Sequence, residues 1–167
     1  MNRTPEPTGR LLPTATGYDL VLTRSYRAPV EDVWASVTEP ERTARWFGTW
    51  RGEAAPGRTV EVQMAYEESA PWCTMRIDVC EPPHRLLLAT VGEEGDDWLM
   101  EVELSETDGT TELRLVHHLA TTDAVDSAGP GWEYYLDMLT ASRDGAPQPS
   151  FDDYFPSQQA YYRALRA

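Results

Sequence analysis

The feature that most constrains the fold is a long run of two-residue alternation in the middle of the chain, followed by a single helical stripe. Val60, Val62, Met64 and Tyr66 alternate with polar residues after Gly57, and Cys73, Met75, Ile77 and Val79 form a second apolar face ending at Pro82-Pro83. Leu86 to Val91 is more continuously apolar. Beyond a turn over Gly92 to Asp97, Trp98, Met100, Val102 and Leu104 resume the alternation. Thr107-Asp108-Gly109-Thr110 predicts a hairpin, because Asp-Gly readily takes the positive φ angles of a tight turn. Leu113, Leu115 and His117 share one face beyond it, with Arg114, Val116 and His118 on the other. Successive strand side chains point to opposite faces, so the stretch predicts an antiparallel meander with one apolar face. Such a face needs a cover. After a polar loop over Thr121 to Gly129, the residues Trp132, Tyr135, Leu136 and Leu139 form a helical stripe ending near Ser142, and that helix is the expected cover.

Before the meander, Tyr18 to Tyr26 alternates well enough for a first strand. Pro29 then suits the first position of a helix, Glu31 and Asp32 complement its N-terminal dipole, and Val30, Val33, Trp34 and Val37 form its apolar stripe. Thr38-Glu39-Pro40-Glu41 has the form of a capping box, predicting a second short helix that runs into Trp46-Phe47 and stops at Gly48. The order is strand, two short helices, further antiparallel strands to a total of about six, then a long helix: an α+β layer fold. Residues 1–16 read as a flexible leader, 17–143 as one domain, and 144–167 as an aromatic extension with a short helix after Pro156.

Composition narrows the partners. The 167 residues suffice for one domain with one sizeable core. A net charge of −14 opposes binding to nucleic acid and to anionic lipid surfaces. All 14 basic residues are arginine, which excludes a P-loop and Schiff-base catalysis, since both need a lysine amine. No window is apolar and long enough for a membrane span, and the N-terminus lacks the apolar core of a secretory signal. Cys73 and Cys80 are seven residues apart, so unbroken alternation puts them on opposite faces and roughly 23 Å apart, beyond disulfide reach. A reduced, cytoplasmic protein is expected. The three histidines and two cysteines do not converge on a metal, no nucleophile elbow is present, and no cofactor is implied. Arg76 and Glu101 fall on the outer faces of their strands and read as surface charges. The acidic pairs Glu67-Glu68, Glu93-Glu94 and Asp152-Asp153 read as solvated turns.

Several segments resemble one family. They are Arg24-Ser25-Tyr26-Arg27-Ala28-Pro29, Val33-Trp34, Thr38-Glu39-Pro40 with Trp46-Phe47, Glu81-Pro82-Pro83-His84-Arg85-Leu86, Gly109 to Leu115, and Gly131-Trp132-Glu133 with Leu136 and Leu139. In this order, over roughly residues 18 to 142, the chain resembles the START-like (SRPBCC) superfamily. More narrowly, it resembles homologues of the C-terminal domain of the activator of heat-shock-protein ATPase. The resemblance implies a helix-grip fold, in which a curved antiparallel sheet wraps a long C-terminal helix with a cavity between them. It implies no reaction, because members bind lipids, hormones or polyketides and some are cyclases. The leader is too short to stand for that activator's further N-terminal domain, which argues against a heat-shock partner.

Parity and the helix stripe turn Trp46, Phe47, Met64, Met75, Trp98, Met100, His117, Trp132, Tyr135 and Leu136 towards that implied cavity. Their composition suits a pocket for a small hydrophobic molecule, and equally suits a filled core. His117 either orients a ligand or acts as an acid-base group, or is a core histidine with an internal partner. His118 points outward and reads as solvated. Three functional readings follow: a non-enzymatic binding module for a small hydrophobic or aromatic ligand, a cofactor-independent cyclase or dehydratase acting on a polyketide-like substrate, and a protein-interaction module of co-chaperone type. The tail residues Phe151, Tyr154, Phe155, Tyr161 and Tyr162 either close one end of the cavity or pack on a second subunit, as in a homodimer.

Overall fold

The computed structural model describes residues 6–65, 69–91 and 98–166. The expected turn over Gly92–Asp97, the alternating Tyr66 and the pairs Glu67-Glu68 and Glu93-Glu94 lie outside the described residues. Among the described residues eight strands occur in chain order: β1 (Arg10–Pro13), β2 (Tyr18–Tyr26), β3 (Trp50–Arg51), β4 (Thr59–Gln63), β5 (Trp72–Glu81), β6 (Arg85–Thr90), β7 (Leu99–Thr107) and β8 (Thr110–Leu119). Helices α1 (Val30–Thr38) and α2 (Pro40–Thr43) follow β2, α3 (Val125–Asp144) follows β8, and α4 (Gln159–Ala164) ends the chain. All strands join one sheet in the order β1-β2-β8-β7-β6-β5-β4-β3, and every neighbouring pair is antiparallel. The architecture is the helix-grip fold: a curved antiparallel sheet with a long C-terminal helix.

The six anticipated strands are all present, and the two additional ones are short strands at the two edges of the sheet. One of them, β1, comes from the segment expected to be a leader: Arg10 to Pro13 pair with Val21 to Tyr18. The Asp108-Gly109 hairpin forms as expected, with both residues at positive φ.

One local irregularity changes the reading of β5. Its pairing with β6 shifts between Ile77 and Val79, a bulge that leaves Asp78 as the additional residue. Beyond a bulge the face of every side chain is reversed. Cys80, opposite Leu86, therefore turns towards the core, and Val79 does not. Cys73, opposite Val62, and Cys80 thus share a face, contrary to the expectation from unbroken alternation. Neither is joined in a disulfide.

The helices depart from expectation at their ends. The capping box before α2 does not form. The Thr38 hydroxyl donates back to the Trp34 carbonyl (2.7 Å), Glu39 occupies the N-cap without a side-chain bond, and Pro40 starts the helix. The cap of α1 comes instead from the sheet, where Glu106 accepts the Val30 N–H (2.7 Å). Helix α3 begins at Val125, inside the expected polar loop, and carries Pro130 within its second turn. Gly145 closes it in a left-handed conformation (φ 65°), its N–H bonding to the Ala141 carbonyl. Leu20 and Leu22 of β2, Leu113 and Leu115 of β8, Val33 of α1 and Leu136 and Leu139 of α3 form one continuous core.

The aromatic tail packs on α3 of its own chain. Tyr162 lies against Gly129, where an added Cβ would stand 2.5 Å from the ring. Its hydroxyl donates to the buried Glu133 (2.8 Å), and the Tyr154 hydroxyl donates to Asp137 (2.7 Å). Arg24 of β2 reaches both carboxylates (3.0 and 3.2 Å), and Thr8 donates its hydroxyl to Glu133 (2.8 Å). Glu133 is 1% exposed, and these partners satisfy the carboxylate that burial would otherwise leave stranded. Burial alone would lower the Arg24 pKa, but Asp137 and Glu133 outweigh it and raise it.

Candidate functional site

An apolar cavity of about 160 Å³ lies between the sheet, α1–α2 and α3. Three parts of the chain meet there. Val37, Thr38 and Thr43 with the following Trp46 and Phe47 come from the helical pair, Met75 and Met100 from the sheet, and Trp132 from α3. Phe47 stands nearly parallel to Trp132 (7°, centroids 6.3 Å apart) and meets Tyr135 edge-on at 4.9 Å. Trp46 and Phe47 lean on each other at 5.5 Å. Aromatic pairs at these spacings hold each other in defined relative orientations.

Of the ten residues anticipated, Trp46, Phe47, Met75, Met100 and Trp132 line the cavity. The other five lie elsewhere. Tyr135 backs Phe47. Leu136 is buried in the core, and Met64 is half-buried against it just beyond β4. His117 stands behind Trp132, and Trp98 is 41% exposed with its ring 4.5 Å from that of His117.

The wall also contains residues the sequence reading left out. Val60, Val62 and Ile77 lie on strand faces already marked by alternation and were legible from it. Leu86 and Leu88 were hidden in an apolar run without period, and Cys80 by the bulge. Trp50 and Ala54 come from a stretch with no usable periodicity.

The indole and hydroxyl donors of this wall are bonded within the protein. The Trp46 indole N–H donates to the Ser36 carbonyl (2.9 Å), that of Trp50 to the Thr38 carbonyl (2.7 Å), and that of Trp132 to His117 Nδ1 (3.1 Å). The Thr38 and Thr43 hydroxyls donate to the Trp34 and Pro40 carbonyls (2.7 and 3.3 Å). Each donor thus meets an internal acceptor, as buried polar groups must.

His117 is the core histidine with an internal partner. Because Nδ1 accepts from Trp132, the neutral ring carries its proton on Nε2. Burial, and then the neighbouring His118, lower its pKa from 6.5 to about 4.

On the outer face of the sheet the expectations for His118 and Glu101 are corrected. His118 is half-buried, with Nδ1 2.7 Å from Asp19 and Nε2 3.2 Å from Glu101. Glu101 is 6% exposed and accepts from the Arg85 guanidinium. Burial pushes its pKa up, but Arg85 and His118 outweigh that and hold the carboxyl below its ordinary value. The cause is register. Asp19 lies directly opposite His118, which also faces Leu99, and the long side chains of adjacent strands cover one another. Arg76 is exposed and pairs with Asp78.

Among the described residues no three of His, Cys, Asp and Glu are grouped to hold a metal ion. No helix of the described residues is long and apolar enough to cross a membrane.

Comparison with solved structures finds the same architecture elsewhere. The crystal structure of CalU16 from Micromonospora echinospora is 28% identical, with 96% of each chain covered and a TM-score of 0.76. A protein of Bordetella parapertussis solved by solution NMR is 27% identical over 97% of this chain and 92% of its own, with a TM-score of 0.75. DynU16, from the dynemicin biosynthetic locus, shares the fold at 24% identity and a TM-score of 0.68, over 80% of this chain and 50% of its own. No curated protein matches the sequence. The family model described as "Activator of Hsp90 ATPase homolog 1-like protein" matches residues 27–142. With that match running from the end of β2 through nearly all of α3, the chain belongs to the family of activator of Hsp90 ATPase homologue 1-like proteins.

Proposed function

We propose that this protein is a binding module for a small hydrophobic or aromatic molecule held between the sheet and α3. One observation carries the reading: every indole N–H and threonine hydroxyl of the wall is already bonded inside the protein. The lining side chains therefore offer ring faces, aliphatic groups and one thiol. Such a surface gains free energy by shedding water against an apolar molecule and, the weak thiol donor of Cys80 apart, has no donor side chain left to orient a polar one. The volume sets the size. An apolar protein cavity of about 150 Å³ takes a single benzene, so the space here suits one aromatic ring or a short alkyl chain, and larger ligands require side chains to move. Trp46, Phe47, Met75, Met100 and Trp132 are the proposed contacts, and a reducing cytoplasm is the proposed setting, in keeping with two cysteines outside any disulfide.

A cyclase or dehydratase is the second reading, favoured by a neutral imidazole directly behind the wall. Two features weigh against it. Nδ1 of His117 is occupied, and a group that resists protonation down to about pH 4 is a weak base at neutral pH. The test is native mass spectrometry of protein purified from its own source, followed by extraction of what it carries and by a panel of apolar molecules. A retained or panel molecule bound one to one supports the reading. Ligand-free preparations whose melting temperature no panel member shifts refute it.

A further inference from the structure

A second recess, of about 160 Å³, lies between α1, α2 and the last turn of α3, lined by Asp32, Ser36, Arg42, Arg45, Ser142 and Arg143. We propose that this recess binds a phosphate or phosphomonoester dianion through Arg42, Arg45 and Arg143. The chain as a whole carries −14, yet here three guanidiniums line one recess beside a single carboxylate. Counting Glu39 beside Arg42 as well as Asp32, the recess keeps an excess of one positive charge, which favours an anion, and guanidinium forks match the geometry of phosphate oxygens.

The recess is built. Arg143 is held on three sides. It donates to the Ser36 hydroxyl (2.8 Å) and to Asp32 (2.9 Å), and its guanidinium carbon stands 5.2 Å from the centre of the Tyr26 ring. Its side chain is only 13% exposed. Asp32 also accepts from Arg42 (3.4 Å), so one carboxylate holds two guanidiniums side by side. Glu39 lies 3.5 Å from the Arg42 Nε and Asp32 takes a bond from Nη1, which leaves Nη2 of Arg42 to a ligand. Among the described residues none pairs with the Arg45 guanidinium, whose five N–H donors are available. The Ser36 and Ser142 hydroxyls donate to the Asp32 and Leu139 carbonyls (3.4 and 2.9 Å), so the donors offered to a ligand are guanidinium N–H groups.

A helix C-terminus is the wrong end of a helix for an anion. The affinity must therefore come from the arginines, and from Arg45 in particular, which gives the site a clear signature. The recess is also separate from the apolar cavity. Ser36, whose carbonyl receives the Trp46 indole N–H, belongs to the recess, whereas the Trp46 ring belongs to the cavity.

The test is isothermal titration of the intact chain at constant ionic strength with inorganic phosphate, phenyl phosphate and acetate. One-to-one binding of either phosphate, at least about tenfold tighter than acetate, is expected, since a monoanion engages fewer guanidiniums. Binding of both phosphates assigns the site to the free ion or its ester. Binding of phenyl phosphate alone assigns it to the ester when Arg45→Gln weakens it, and both results then support the proposal. Phenyl phosphate binding that Arg45→Gln leaves unchanged is the ring in the apolar cavity and overturns the proposal. Arg45→Gln touches no structural contact, so it should melt as the wild type does while losing about tenfold or more in phosphate affinity. Acetate binding as tightly as phosphate, no saturable heat from either phosphate, or wild-type affinity in Arg45→Gln would overturn the proposal.

Discussion

The indole N–H of Trp132 donates to Nδ1 of His117 across 3.1 Å, so the α3 residue that lines the cavity is held by a residue of β8 behind it. This bond gives the imidazole a fixed tautomer and denies the cavity a donor. It also makes the histidine a measurable probe of the core.

An unfolded histidine titrates near 6.5 and His117 in the folded chain near 4. The folded value is depressed, so the unfolded chain takes the proton first. The contribution is therefore intact above about pH 6.5 and is lost as the pH falls towards 4, with a limiting slope of about 1.4 kcal/mol per pH unit. In His117→Gln the amide oxygen still accepts the Trp132 N–H and nothing titrates. Between pH 6.5 and 5, denaturant unfolding should show a steeper loss of stability in the wild type than in the variant. Equal slopes would show that His117 does not titrate as described.

Two glycines of α3 predict opposite effects. Gly129→Ala drives a Cβ to 2.5 Å from the Tyr162 ring and should destabilise the protein by about 1–3 kcal/mol, as overpacking does. At Gly131 nothing lies within 4 Å of an added Cβ, and Ala should stabilise by about 0.5–1 kcal/mol through helix propensity. Thermal melts of the two variants check the docking of the tail. A neutral Gly129→Ala would mean that Tyr162 is not seated on the helix.

Glu101 should report the charge cluster on the outer face. In the wild type its carboxyl titrates below the ordinary value, because Arg85 and His118 outweigh burial. Arg85→Met removes the stronger partner and should raise that pKa, a shift readable by carbon-detected NMR titration of the carboxyl. An unchanged value would place Glu101 away from the guanidinium.

Cys80 should be a slow thiol, since burial raises its pKa and leaves little thiolate near neutrality. Because it lines the cavity and Cys73 does not, an apolar occupant should slow alkylation of Cys80 and leave Cys73 unaffected. Peptide mapping after timed alkylation separates the two sites, and equal protection of both would argue against occupancy of this cavity.

Much of this architecture was legible because alternation and helical stripes report burial. The boundaries of β2, the Asp-Gly hairpin and the inward faces of β7 and β8 followed from it directly. The same signal failed where a single residue breaks the count: Asp78 reverses the faces of Val79 and Cys80. It also failed where a bond crosses elements. Nothing local shows that the Thr38 hydroxyl bonds back to Trp34, that Glu106 caps α1, or that register draws Asp19 and Glu101 onto His118. For the cavity, periodicity found the regular strands and the stripe of α3, but it could not separate Trp132, which lines the space, from Leu136, which fills the core.

Ligand binding in the apolar cavity is tested most directly by calorimetric titration of single-ring aromatic molecules into the wild type and into Val62→Phe, a variant that adds a ring where the cavity lies. Saturable one-to-one binding to the wild type and none to Val62→Phe is expected, with the variant still folded because the void accepts the added volume. Leu88→Phe fills the same space from β6 and should behave alike. Absence of binding to the wild type, or equal binding to the wild type and the filled variants, would contradict ligand binding in the cavity.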